Sequence, residues 1–460
     1  MSDKSKTALA GKAESCTPGK GMPAAEYKTI LTGTAENDIT PPIGTQLAGY
    51  FQTRVSDGLI HPLMAKAAVF GEGDERCCLI VCDIITMTSW VRDKTREIIN
   101  AETGIKPERI MISATHTHTG PEIRDGSKTT SVNLEYREGL PRRIADAAIK
   151  AANSMKPAYL CIGTEQEEGL AFNRRFRMSN GTEQFGPYSD GDVHSVGFAG
   201  PIDPMFGALV FKEAIDSKPF LVICNYSVHI DVTSGTKISA DFPAVMTNTL
   251  RAIYGQELIV IYVQGACGNI NHVPYLLNLP YPRSGVWKSE QMGRAFAGKA
   301  MSIIEKAVPS ETVVVDTASE TLIVPKYPKN DPVYQSRLSA SKAKKEPNAF
   351  DKALIERSVD YDDTGTTERL VQTMRIGDAA FCGAPGEYFV EWGLEIKKWS
   401  PFKYTFIAEL CNDAVGYIPT YEAFMRGGYE ATPVVSVRST PALGQMIADA
   451  NFRNHRKLKG

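Results

Sequence analysis

The chain has 460 residues, enough for one large core or two smaller domains. Apolar residues make up 43% and charged residues 23%, with 51 Lys+Arg against 53 Asp+Glu and a formal net charge of −2, ordinary values for a soluble globular protein. The balance argues against nucleic acid as a partner, which needs a basic excess, and no apolar run reaches the roughly 18 residues that span a bilayer.

In chain order, residues 1–26 are polar, lack the apolar stretch of a secretory signal, and are expected to form a disordered tail. Residues 27–460 are expected to form one domain. Apolar, β-branched runs predict strands at 27–32, 65–70, 77–84, 109–114, 158–163, 220–225 and 258–264, and later at 312–324, 373–382 and 404–410. Helical patterns fall between them at 90–101, 132–154, 242–254, 290–307 and 387–399. Alternation of this kind predicts an α/β fold, with mixed β-sheets flanked by helices in a single large catalytic domain.

Two segments read as insertions. Residues 176–191 are rich in Gly, Ser, Asn and Asp, and 326–366 is polar with a solvated helix. Leu443, Met446, Ile447 and Ala450 form a stripe that predicts a docked C-terminal helix. The nine cysteines include no CxxC pair and mostly sit in apolar runs. Buried free thiols explain them better than disulfides, so a cytoplasmic enzyme is expected.

The seven histidines are few enough for their placement to inform. His116 and His118 directly follow an apolar strand in ISATHTHTGPE. Residues two apart on an extended chain face the same side, and two imidazoles at a strand exit suit metal binding or proton transfer. His229 follows another strand in CNYSVHIDVT. Asp83, Asp231 and Asp241 stand nearby in sequence, each equally consistent with a cap or turn. Glu387, in APGE, is placed by the pattern in the first turn of a helix, where a carboxylate serves the macrodipole. The loop GACGNINH at 265–272 permits close backbone approach and could cradle an anion; it is not a Walker loop. Cys267 within it is a possible nucleophile.

Seven motifs occur in order: DITPPIGTQLAGY, ISATHTHTGPE, FNRR, CNYSVH, QGACGNIN, APGE and GYIPTYEAFMRGGYE. Together they resemble the amino-terminal catalytic domain of the neutral/alkaline non-lysosomal ceramidases, in particular small bacterial relatives that lack the carboxy-terminal β-sandwich. The resemblance runs from about Thr32 to Glu430. It implies an α/β fold and one zinc ion held by His116, His229, Glu387 and Tyr417. It further implies His118 as proton shuttle, and Tyr429 with Arg174 or the adjacent Arg175 as holders of the substrate carbonyl or oxyanion. A zinc ion lowers the pKa of water to about 7, which suits attack on an acyl carbon.

Where ceramidases read GDxSP, this chain has Gly268-Asn269-Ile270-Asn271-His272, so Asn271 stands at the serine position. Arg124, Arg174, Arg175 and Arg177 lie in or beside the motif loops, as a polar substrate's site or as loop-stabilising ion pairs. The expected activity is zinc-dependent hydrolysis, first of the amide of a small polar substrate rather than ceramide. The alternatives are an ester or lactone of a sugar acid, a cysteine hydrolase using Cys267, and a binding protein that has lost catalysis. No nucleic acid or stable membrane partner is expected, and the oligomeric state is left open.

Overall fold

The computed structural model describes residues 27–124 and 130–459. The expected tail at 1–26 lies outside the described residues. Eight strands form one sheet: β1 (Ile30–Asp38), β2 (Met64–Phe70), β3 (Cys77–Cys82), β4 (Ile110–Ala114), β5 (Lys156–Gln166), β6 (Met205–Lys212), β7 (Pro219–Tyr226) and β8 (Ile259–Gln264). Their order is β8-β7-β6-β5-β1-β2-β3-β4. The pairs β3–β4 and β7–β8 are parallel and the others antiparallel. A second sheet, in order, contains β9 (Val315–Pro325), β10 (Thr366–Ile376), β11 (Ala379–Ala384) and β12 (Tyr404–Glu409). There only β11–β12 is parallel.

The period-2 alternation of apolar side chains sorts the layers. In β3, Cys77, Leu79 and Val81 pack toward Met374 and Phe381 of the second sheet. Cys78, Ile80 and Cys82 instead face α1 (Ser89–Thr103) and α2 (Ser131–Ala152). In β7, Val222 and Cys224 meet α3 (Phe242–Tyr254) and α4 (Val286–Lys306), while Leu221 and Ile223 join the core between the sheets. α5 (Pro332–Ala343) and α6 (Ala349–Val359) form a separate pair. The outer face of the second sheet is covered by α7 (Val390–Trp399) and, after the short α8 (Tyr421–Arg426), by α9 (Leu443–Lys459). The result is a helix–sheet–sheet–helix sandwich, a single mixed α/β domain. Among the described residues, no helix is long and apolar enough to cross a membrane.

Four expectations need correction. The strand β6 was not anticipated, although its run MFGALVFK is apolar throughout, as a strand buried on both faces should be. The single strand expected at 373–382 is a hairpin of β10 and β11 turning at residues 377 and 378. The segment 176–191, read as an insertion, folds as most of a small four-stranded sheet, whose first hairpin turns through Asn180 and Gly181, a favoured turn pair. The polar stretch 326–366 forms α5 and α6, which bury Tyr334, Leu338 and Leu354 against Phe424 and Val435. The C-terminal helix is α9, with Leu443, Ile447 and Ala450 on its packed side.

Candidate active site

The three parallel pairs deliver chemistry at their carboxyl ends, where α/β sheets gather ligands. His116 follows β4, His229 follows β7, and Glu387 follows β11. His116 has φ of 73°, a left-handed conformation rare for a residue with a Cβ, and strain of this kind concentrates at functional sites. Its Nδ1 donates to Ile85 O at 2.7 Å, and Nδ1 of His229 donates to Cys267 O at 2.8 Å. Those bonds leave each Nε2 unprotonated in the neutral ring, lone pair inward. The two Nε2 atoms lie 3.2 Å apart, and Nε2 of His118 is 3.3 Å from that of His116. Glu387 Oε2 is 3.5 Å and 3.4 Å from the same His116 and His229 atoms.

Glu387 does not open a helix. It sits in a two-residue parallel bridge with Glu387 opposite Tyr417 and Tyr388 opposite Ile418. α7 begins later, at Val390, whose N–H donates to Asn269 Oδ1 at 2.9 Å. The glycine loop explains this placement. A Cβ on Gly268 would come 2.4 Å from Glu387 O, so the loop's lack of a side chain lets it press against the glutamate's backbone. The Cys267 N–H is taken by buried Glu409, so this loop is a support for Glu387 and not the anion cradle expected.

Arg174 donates to Tyr417 Oη at 3.1 Å, to Gly268 O at 2.9 Å and to Glu430 Oε1 at 2.8 Å. Arg175 turns the other way, to Glu430 Oε2 and Glu183 Oε2, both at 2.8 Å. The structure therefore brings Arg174, and not Arg175, to the Tyr417 side. Tyr429 packs edge-on to Tyr417 with ring centres 5.5 Å apart. Burial and the Glu387 charge raise the Tyr429 hydroxyl to about 12, and the same causes raise that of Tyr417. Asn271 donates to Tyr275 Oη at 2.8 Å and accepts from Val273 N at 3.0 Å, which ties it into its own loop.

His118 is seated by the segment after β1. Arg54 donates to His118 O at 2.7 Å, and a Cβ on Gly49 would come 2.7 Å from His118 Nδ1. That Nδ1 faces Asp231 Oδ1 at 3.7 Å, and the Tyr50 hydroxyl donates to the same Asp231 oxygen. Burial, with His116 and His229 as neighbours, pushes the His118 imidazole well below the usual histidine range. Burial raises the Asp231 carboxyl to about 6. Sequence reasoning missed Tyr50 and Glu430; the only signal for either is its place inside a motif already noted.

The donor set fits a metal ion. His116, His118 and His229 alone bring ligand atoms within 4.8 Å of one another. Two inward lone pairs and a carboxylate repel unless a cation lies between them, and the buried Glu387 Oε2 has no hydrogen-bond partner. Tetrahedral zinc with bonds of about 2.0–2.1 Å sets its ligands roughly 3.4 Å apart, which the His116, His229 and Glu387 separations match. Cys267 is less suited to act as a nucleophile: its Sγ lies 3.3 Å from His229 Nδ1, but burial and Glu409 raise its thiol well above the usual range.

Fold and site together define an α/β protein with a buried cluster that could hold a metal at the carboxyl ends of its strands. Residues 30–244 match the family profile described as neutral/alkaline non-lysosomal ceramidase, N-terminal, which bears out the resemblance read from the motifs. No curated protein matches the sequence. Two solved structures share the fold. One, described as ceramidase complexed with C2, is 17% identical at a TM-score of 0.72. The other, the neutral ceramidase from Pseudomonas aeruginosa, is 20% identical at 0.70. Each comparison covers 94% of this chain and 75% of the other. The chain thus shares the fold of these two structures, and its residues 30–244 resemble the ceramidase family profile.

Proposed function

We propose that the protein is a zinc-dependent hydrolase that attacks the acyl carbon of a small polar amide. The observation that carries this reading is the convergence of His116 Nε2, His229 Nε2 and the unpartnered Glu387 Oε2 within 3.5 Å of one another. Zinc would be held by these three residues and Tyr417. Bound zinc supplies Lewis acidity and brings the pKa of water toward neutrality.

The chain's own groups supply the rest. Arg174, held charged by Tyr417 and Glu430 against the cost of burial, places positive charge beside the position of a developing oxyanion. The Tyr429 hydroxyl stays protonated and donates to that oxygen. His118, neutral at pH 7, takes a proton from the attacking water at Nε2 as the C–O bond forms, then returns it to the departing amine as C–N breaks. Asp231, steadied by Tyr50, orients the ring from the Nδ1 side. All eight cysteines in the described residues are unpaired and buried, which supports a cytoplasmic setting.

The test combines metal analysis with a substrate panel. Wild type is expected to bind about one zinc per chain and hydrolyse small amides, and His116→Ala to lose both. Turnover of sugar-acid lactones or esters with no amide cleaved would replace the amide reading. A protein that binds no zinc and turns over nothing would be a binding relative.

A further inference from the structure

Of the four arginines in or beside the motif loops, only Arg124 lines the cleft. Arg174 and Arg175 are neutralised by Glu430 and Glu183, and Arg177 donates to Ala199 O at 3.4 Å. Arg357 and Arg438 line the cleft with Arg124, as do His116 and Glu387. The three arginines come from three separate parts of the chain, the loop after His118, helix α6 and the segment before α9.

Each is held differently. Arg124 pairs with Glu122 at 2.8 Å while its side chain keeps 44% exposure. Arg357 donates to Val435 O at 2.9 Å and lies 5.9 Å from the centre of the Phe51 ring. Arg438 is exposed, and its guanidinium has no hydrogen bond or ion pair among the described residues. The like charges of Arg357 and Arg124 are among its neighbours, and all three side chains line the one cleft. Phe51 and Tyr429 line the same cleft, with Phe51 edge-on to Phe350 at 5.5 Å and to Tyr429 at 6.1 Å.

Glu122 offsets one of the three positive charges in this cleft, and an anion that accepts from the others gains charge-assisted hydrogen bonds there. We infer that Arg124, Arg357 and Arg438 form a subsite for an anionic group carried by the substrate, in the same cleft as His116 and Glu387. This assignment rests on the hydrolytic reading above and narrows its substrate class to anionic acyl compounds. It also separates the site from one made for an uncharged lipid.

The test compares glutaryl p-nitroanilide with its carboxamide counterpart on zinc-supplied protein, alongside calorimetric titration with sulfate. Wild type is expected to favour the carboxylate in kcat/KM by about tenfold or more, the scale of a charge-assisted pair. Arg438→Gln should cut that preference about tenfold, and both Arg438→Gln and Arg357→Gln should weaken sulfate about as much. Equal use of the two anilides by wild type, or a preference unchanged in Arg438→Gln, overturns the assignment. If neither anilide is cleaved, the hydrolytic reading fails and the sulfate titration still decides the subsite: binding that depends on the arginines keeps it, and binding indifferent to them removes it. Arginine-dependent sulfate binding without carboxylate preference assigns the site to a free anion and overturns its link to substrate.

Discussion

Glu387 and Tyr417 are register partners in a two-residue parallel bridge, so residues thirty apart in sequence present their side chains side by side. The bridge fixes a carboxylate next to a phenol without either being near the other in a motif. Glu387→Gln is expected to abolish zinc retention, because the two inward imidazoles then face no anion. Tyr417→Phe should keep the bridge and lose at least about tenfold in zinc affinity, since even outer partners of a metal are worth that much. Metal quantification after dialysis against a weak chelator checks both. Unchanged affinity in Tyr417→Phe would remove it from the ligand set.

Arg174 and Arg175 share Glu430 but should fail differently. Arg175→Gln leaves the buried Glu183 with only Arg426 at 3.6 Å and takes one partner from Glu430, and breaking such a buried pair costs about 3–5 kcal/mol. Urea unfolding should record that loss, with kcat of the folded fraction near wild type. Arg174→Gln should lower kcat about 100-fold, as removal of an oxyanion donor does. If the two variants lost activity equally, the division of roles would be wrong.

For His118 the informative contrast is between metal content and rate. His118→Gln is expected to keep its zinc and lose about 100-fold or more in kcat, the scale of general acid–base catalysis. Asp231→Asn should lose about tenfold through the misplaced ring. Loss of zinc from His118→Gln would instead place His118 among the ligands, a geometry its 3.3 Å separation from His116 also permits.

Acid stability should carry the mark of His455. The ring is buried on α9, the Cys382 thiol donates to its Nε2 at 3.1 Å, and burial lowers it to about 4. An unfolded histidine titrates near 6.5. Between these values the folded state binds fewer protons, so stability falls as pH drops from about 6.5 to 4. His455→Gln is expected to show a smaller Tm decrease than wild type between pH 7 and pH 5. His272 and His229, lowered to about 3 and about 4, act in the same direction, so the variant removes only part of the slope. Identical slopes would exclude His455 as a contributor.

Legibility in the sequence followed how local each determinant was. Strand exits at His116 and His229 could be read because the apolar runs before them are continuous and the histidines follow within a few residues. Glu387 could not, because its neighbours Pro385 and Gly386 also suit a helix start, and its true conformation depends on hydrogen bonding to Gly416. The choice between Arg174 and Arg175 was decided by Tyr417, 243 residues from Arg174, since Glu430 holds both. Arg357 and Arg438 carried no signal at all: one belongs to a helix in a segment that reads as solvated, the other to a loop, and only the pairing of α5–α6 with residues 431–437 brings them to the cleft. The strand β6 was missed for a plainer reason, since an all-apolar run lacks the alternation that distinguishes strand from buried helix.

The proposed ligands leave two different sheets. His116 and His229 follow strands of the eight-stranded layer, while Glu387 and Tyr417 pair in a two-residue bridge beyond the ends of β11 and β12 of the four-stranded one. A nascent chain shorter than 417 residues therefore lacks the full donor set, whatever part of it has already folded. An ion taken up by all four would act as a rivet between the layers, and its capture would mark the end of assembly. Metal supply would then set how much protein reaches a finished state as well as how fast the finished protein works.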